Sequence, residues 1–190
     1  MMRRLAPLFG GLLLLGTGAL AAAPAVPPSL TSADCSAGIT PAQTEGPYFK
    51  AGSPERSTLV TGGTAGTRIT VTGWVVTAGC KPVPGAVLDF WQADDSGQYD
   101  NSGYTMRGHI VTDSQGRYVI ETVIPGVYPG RTRHIHVKVQ VPGKPLLTTQ
   151  LYFPEDAARN KADGIYDARL LVRWLDAAAR TIARYDFVLG

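Results

Sequence analysis

Residues 134–141 alternate without a break: Ile135, Val137, Val139 and Val141 are aliphatic, and His134, His136, Lys138 and Gln140 stand between them. Successive side chains of a strand point to opposite faces, so this segment can bury one side only as a β-strand; a helix would scatter the four aliphatic residues around its circumference. Weaker alternation recurs at 68–76, at 86–93 (Ala86, Leu88 and Phe90 against Val87, Asp89 and Trp91), at 146–153 and at 183–189. Segments 107–112 and 117–123 flank Asp113-Ser114-Gln115-Gly116, a turn sequence, and predict a hairpin. Only 157–179 holds helix-compatible stretches. With 22 Gly and 14 Pro against 17% charged residues, turns are frequent and long exposed helices are disfavoured. The expected fold is all-β, a β-sandwich with loop-rich additions.

Residues 1–25 pair a short basic start, Arg3 and Arg4, with an apolar run from Phe9 to Leu20 and small residues at Ala19, Ala21 and Ala23. That order is a secretory signal, by the general or the twin-arginine route, and implies a secreted or periplasmic protein with no membrane anchor after cleavage. Residues 26–43 follow as a lead-in rich in Pro and Ala, and 44–190 as one domain. The formal charge of +3 falls to +1 once Arg3 and Arg4 are set aside, which gives no electrostatic case for nucleic acid or an anionic membrane. Cys35 and Cys80 are the only cysteines. An even count in an oxidising compartment favours one disulfide, with two buried thiols as the alternative; neither cysteine has metal-ligand spacing to a partner.

The chemistry begins at His134 and His136. Two residues apart on a strand, they aim both imidazoles to one side, where one metal ion can take a nitrogen from each. Two ligands do not close a site, and a polar strand face carries such pairs without any metal. The remaining donors come from elsewhere. Tyr99 lies in Asp95-Ser96-Gly97-Gln98-Tyr99-Asp100, just beyond a strand, and Tyr128 in Pro125-Gly126-Val127-Tyr128-Pro129-Gly130, just before the histidine strand. Loops at strand ends are where sites are usually built.

Several segments carry a specific likeness in a fixed order: Thr44-Glu45-Gly46-Pro47-Tyr48-Phe49, Asp89-Phe90-Trp91-Gln92-Ala93, Gly97-Gln98-Tyr99, Arg107-Gly108, Tyr128-Pro129-Gly130-Arg131, His134-Ile135-His136-Val137 and Thr149-Gln150-Leu151-Tyr152-Phe153. Together they resemble the intradiol ring-cleavage dioxygenases, most closely the protocatechuate 3,4-dioxygenase β-subunit type and its secreted relatives. The resemblance implies a β-sandwich of the transthyretin or immunoglobulin-like type, a catalytic domain over 44–190 and a non-haem Fe(III) ion on Tyr99, Tyr128, His134 and His136. It further implies that Tyr128 is the ligand that leaves when substrate binds, that Arg131 and Gln150 are catalytic, and that Tyr48 and Arg131 line the substrate pocket. The implied reaction cleaves a catechol-type ring with O2 to a cis,cis-muconate-type diacid.

The chemistry of the donor set agrees with that ion. A phenol with a pKa near 10 becomes an anionic ligand only when a strong Lewis acid displaces its proton. Two phenolates and one hydroxide neutralise a trivalent cation, which removes the penalty of a buried net charge. Trp91 is expected to pack within the sandwich, and His109 to be a surface or hydrogen-bonding histidine. Arg133 departs from the family pattern directly before His134, and the number of subunits, a homo-oligomer included, stays open. Two other readings also stand at this point: a three-histidine zinc hydrolase or lyase using His109, His134 and His136, and a sandwich that binds a partner without catalysis.

Overall fold

The strand order follows from where the alternating segments find partners. The computed structural model describes residues 30–190; the expected signal over 1–25 lies outside them. Strands β1 (Arg68–Thr77), β2 (Val87–Trp91), β3 (Arg107–Val111), β4 (Arg117–Val123), β5 (His134–Gln140) and β6 (Leu147–Tyr152) precede a short helix, α1 (Ala157–Ala162). Short strands β7 (Arg173–Trp174), β8 (Ile182–Arg184) and β9 (Phe187–Leu189) complete the chain. One sheet runs β4-β1-β8-β7, with β9 also on β1, and the other runs β3-β2-β5-β6. The sheets face each other across a core that includes Val71, Leu88, Phe90, Ile120, Val137 and Phe187, each 0% exposed. The all-β sandwich is as expected.

Burying Ile135, Val137 and Val139 in that core sends His134 and His136 to the opposite face of β5. There the register sets Trp91 of β2 on one side of His136 and Gln150 of β6 on the other.

Two local expectations change. The turn at 113–116 forms, with Asp113 N donating to Arg117 O at 3.0 Å and the Asp113 carboxylate accepting from Gln115 N and Arg117 N. The strands it joins are nevertheless not a hairpin: β3 pairs with β2, and β4 pairs with β1 in the other sheet. The chain crosses between layers here, because turn chemistry closes four residues without selecting a sheet. The expected strand 183–189 is broken at Tyr185 and Asp186. Asp186 Oδ1 accepts from Trp74 N, its Oδ2 accepts from Asp34 N, and Arg184 pairs with it at 2.5 Å, so β8 and β9 pair separately with β1.

From Leu30 onward the lead-in is anchored to the sandwich at a few points, with Leu30 and Thr40 buried and Ile39 exposed. Leu30 joins Trp74, Val76 and Val188 in a small second core, and Thr40 exchanges hydrogen bonds with Val188. Cys35 and Cys80 form the expected disulfide, with Cα atoms 5.8 Å apart and a sequence separation of 45. A cross-link of that span removes much of the unfolded chain's freedom. The double variant Cys35→Ser/Cys80→Ser is expected to lose about 2–4 kcal/mol in a urea melt, and an unchanged midpoint would show the lead-in held by its other contacts alone.

Candidate metal centre

The face of β5 that carries the histidines is covered by two loops and a strap. The loop after β2 brings Tyr99, the loop after β4 brings Tyr128, and residues 40–49 run beside β6, where Gln43 N donates to Thr148 O. The two tyrosine loops touch through backbone. Gly126 N donates to Asp94 O at 2.7 Å, and a Cβ on Gly126 would stand 2.2 Å from Gly97 N. Gly97, at φ +86°, lies equally close to Val127 O, 2.3 Å from where its own Cβ would be. Only glycine on both sides permits this approach.

Four donor atoms meet beneath the loops. His134 Nε2 lies 3.1 Å from His136 Nε2, 3.4 Å from Tyr99 Oη and 3.3 Å from Tyr128 Oη. His134 Nδ1 is 2.7 Å from Thr132 O, and a carbonyl can only accept, so that nitrogen carries the proton and Nε2 presents its one lone pair. One lone pair cannot satisfy three neighbours. Donors about 2.1 Å from a shared cation stand about 3.0–3.4 Å from one another, so the spacing fits a coordinated metal better than a hydrogen-bond network. Burial, reinforced by Arg131, pushes the His134 pKa down to about 4, and burial with its His134 neighbour holds His136 well below the usual histidine value. Both imidazoles are therefore neutral, as ligands must be. Burial also holds both phenols above the usual tyrosine value, Tyr99 far above, so a Lewis acid is what can ionise them.

Among the described residues no group of three or more His, Cys, Asp and Glu side chains is placed to hold a metal. The three-histidine zinc reading fails on that point: His109 Nδ1 sits 2.8 Å from Ser53 O and 3.1 Å from Ser53 Oγ, away from the pair on β5.

The other expected residues surround the four donors. Arg131 donates from Nε to Asp163 at 2.9 Å, from Nη2 to Gln150 Oε1 at 2.5 Å and from Nη1 to Tyr128 Oη at 3.4 Å. Gln150 Nε2 donates to Thr44 O at 3.0 Å, which ties the strap to β6. Tyr48 stacks on Tyr99 with ring centroids 4.3 Å apart. Arg133 turns away, paired with Asp156 at 2.7 Å and donating to Pro125 O. Trp91 is not simply sandwich packing, as expected above. It lies on the histidine side of β2 and stacks on His136 at 4.8 Å, nearly parallel.

Two contributors carry no role in the sequence reading. Arg107 is 1% exposed, an unusual place for a guanidinium, and donates to Tyr48 O and Asp100 O, bracing the strap against the Tyr99 loop. Its signal was the Arg107-Gly108 pair within the family likeness. Asp163, at the end of α1, accepts from Arg131, Thr132 N and Ile165 N. Nothing in the sequence links it to Arg131. An open cleft of about 410 Å³, lined by Val127, Tyr128, Pro129, Arg131, Arg159 and Asp163 among others, borders Tyr128 and Arg131.

Comparison with known proteins agrees with this geometry. A family model described as Dioxygenase matches residues 44–189. Hydroxyquinol 1,2-dioxygenase from Nocardioides simplex is 30% identical over 155 residues, covering 68% of this chain and 53% of its own length, so the chain spans about half of that relative. Among solved structures, the dioxygenase domain of a dioxygenase and carbohydrate-binding protein fusion from Streptomyces sp. SirexAA-E is 51% identical, covering 80% of this chain and 98% of that one, with a TM-score of 0.76. The intradiol ring-cleavage dioxygenase from Tetranychus urticae, at 26% identity, covers 80% of this chain and 94% of that one, with a TM-score of 0.73. On the family match, these likenesses and the shared fold, the chain belongs to the intradiol ring-cleavage dioxygenase family.

Proposed function

We propose that this protein holds ferric iron on Tyr99, Tyr128, His134 and His136. With it the protein cleaves a catechol-type ring between its two hydroxyl-bearing carbons, using O2, to a cis,cis-muconate-type diacid. The observation that carries the reading is the crowding of His136 Nε2, Tyr99 Oη and Tyr128 Oη around a single lone pair on His134. Bound there, ferric iron supplies the Lewis acidity that ionises phenols and draws electron density from a catecholate.

The chain's own groups divide the remaining work. Tyr99 is held under Tyr48, whereas Tyr128 borders the open cleft, so Tyr128 is the phenol that meets an incoming substrate. Its oxygen, with the Arg131 guanidinium 3.4 Å away to favour negative charge, is placed to take a proton from a substrate hydroxyl. Asp163 and Gln150 hold Arg131 from two directions, which keeps that cation aimed at the centre without movement during the reaction. Trp91 seals the His136 flank against water. Export to an oxidising compartment belongs to the same reading, supported by the Cys35–Cys80 bond and the pattern of residues 1–25.

Oxygen uptake by the iron-loaded protein tests this across catechol, 3,4-dihydroxybenzoate and hydroxyquinol, with the ring-opened products identified. The loaded protein is expected to be coloured, because tyrosinate on ferric iron absorbs visible light, and Tyr99→Phe is expected to weaken or shift that band. A colourless protein that consumes no O2 with any of these diols overturns the assignment.

A further inference from the structure

The cleft beside Tyr128 holds two arginines, and their partners differ. Arg131 is fully engaged by Asp163, Gln150 and Tyr128. Arg159 also lines the cleft, yet among the described residues it forms no ion pair. The acids near it in the chain are occupied: Glu155 by Arg180, Asp156 by Arg133 and Asp163 by Arg131. Of the other cations close to the histidines in sequence, Arg133 pairs with Asp156 and donates to Pro125 O, and Lys138, on the histidine face of β5, pairs with Glu45 at 2.6 Å.

The placement of Arg159 is set by α1. Asp163 N donates to Arg159 O at 3.0 Å, so the two residues are one turn apart and share a face of the helix. Asp163 anchors Arg131 on that face, which puts the Arg159 side chain at the rim of the same cleft. The helix itself is fastened: Asn160, 3% exposed, accepts from Thr132 Oγ1 and donates to Phe153 O. A ring entering toward Tyr128 would pass along Val127, Pro129 and Ala162 with a free guanidinium beside it. About 410 Å³ lies within the size range of small-molecule pockets and leaves room for a substituent on the ring.

We infer that Arg159 is a specificity-determining residue that selects catechols bearing a carboxylate, the guanidinium pairing with that group while the diol faces Tyr128. The inference rests on the proposed function and names the substrate class for that site. A planar fork of donors suits a carboxylate, and the pair forms at the edge of a cleft rather than in open water.

Anaerobic titration of the iron-loaded protein, followed by its visible band, compares catechol with 3,4-dihydroxybenzoate without turnover. The carboxylated diol is expected to bind about fivefold more tightly. Arg159→Gln should bring the ratio near one, Arg159→Glu should invert it, and Arg159→Lys should keep part of it. Raising salt from about 0.05 M to about 0.5 M should narrow the gap in the unaltered protein, as for a partly exposed ion pair. Among the described residues the exposed Arg159 side chain makes no ion pair that these variants would break, so folding does not confound them. A ratio that Arg159→Gln leaves unchanged overturns the inference while the proposed function stands. A band that neither diol perturbs overturns the proposed function, and the carboxylate preference with it.

Discussion

Gly126→Ala is expected to cost about 3 kcal/mol, or about 6–12 °C in Tm, and to leave a protein that retains little iron. The added Cβ would meet Gly97 N at 2.2 Å, Asp95 O at 2.5 Å and the Asp95 carbonyl carbon at 2.7 Å. All three are backbone atoms, so no side chain can rotate out of the way. The loops must part by an ångström or more, and the hydrogen bond from Gly126 N to Asp94 O breaks with them. One loop carries Tyr99 and the other Tyr128, so the two phenols lose their shared distance to His134. A displacement of that size costs about 100-fold in a reaction that depends on placement. Gly130→Ala is the control on the same loop: its φ of +81° is strained for alanine, but nothing stands within 4 Å of its Cβ. It is expected to cost about 1 kcal/mol and to keep the iron. Calorimetry with metal analysis reads both. Equal iron retention in the two variants would mean that the backbone contact does not set the spacing of the tyrosines.

How much of this was legible in the sequence depended on how local each signal was. The alternation over 134–141 reports its own burial, so β5 and the shared face of His134 and His136 follow from it directly. The hairpin expected around 113–116 failed because Asp113 specifies the turn, while the pairing of β3 and β4 depends on strands elsewhere in the chain. The break at Tyr185 and Asp186 was hidden for a similar reason: the apolar pattern runs through it, and what ends the ladder is a carboxylate serving Trp74 and Asp34. At the site, spacing alone reached only the histidine pair. Tyr99 and Tyr128 came from the family likeness, because loop residues have no periodicity to betray their direction. Trp91 was misplaced because a large aromatic residue in a strand is ordinarily core; its side chain faces the histidine side of the sheet.

Asp163→Asn is expected to lower kcat per bound iron by about 100-fold while the fold persists. The substitution keeps the shape and one oxygen, but removes the charge that fixes Arg131 through Nε at 2.9 Å. The Asp163 side chain is 2% exposed and that of Arg131 17%, so the guanidinium is left without a counter-charge in a mostly dry position. Breaking such a pair on one side costs about 2–4 kcal/mol, less than in a fully enclosed case because Arg131 keeps some solvent. The pH dependence identifies the cause. Burial opposes ionisation of Asp163, but hydrogen bonds from Thr132 N, Arg131 and Ile165 N outweigh it, and the carboxyl lies below its ordinary value of 3.8. A depressed folded pKa contributes stability that is present above the unfolded value and is lost as pH falls through the folded one. The stability gap between the unaltered protein and Asp163→Asn should therefore be widest near neutrality and close progressively below about pH 4. The buried histidines also destabilise both proteins in acid, but that effect is common to the two and largely cancels in the difference. Urea melts across pH, with kcat measured per bound iron at pH 7, separate positioning from structure. A merely structural aspartate would lower the melting midpoint and leave turnover per iron intact, and that result, or a gap independent of pH, would remove Asp163 from the positioning of Arg131.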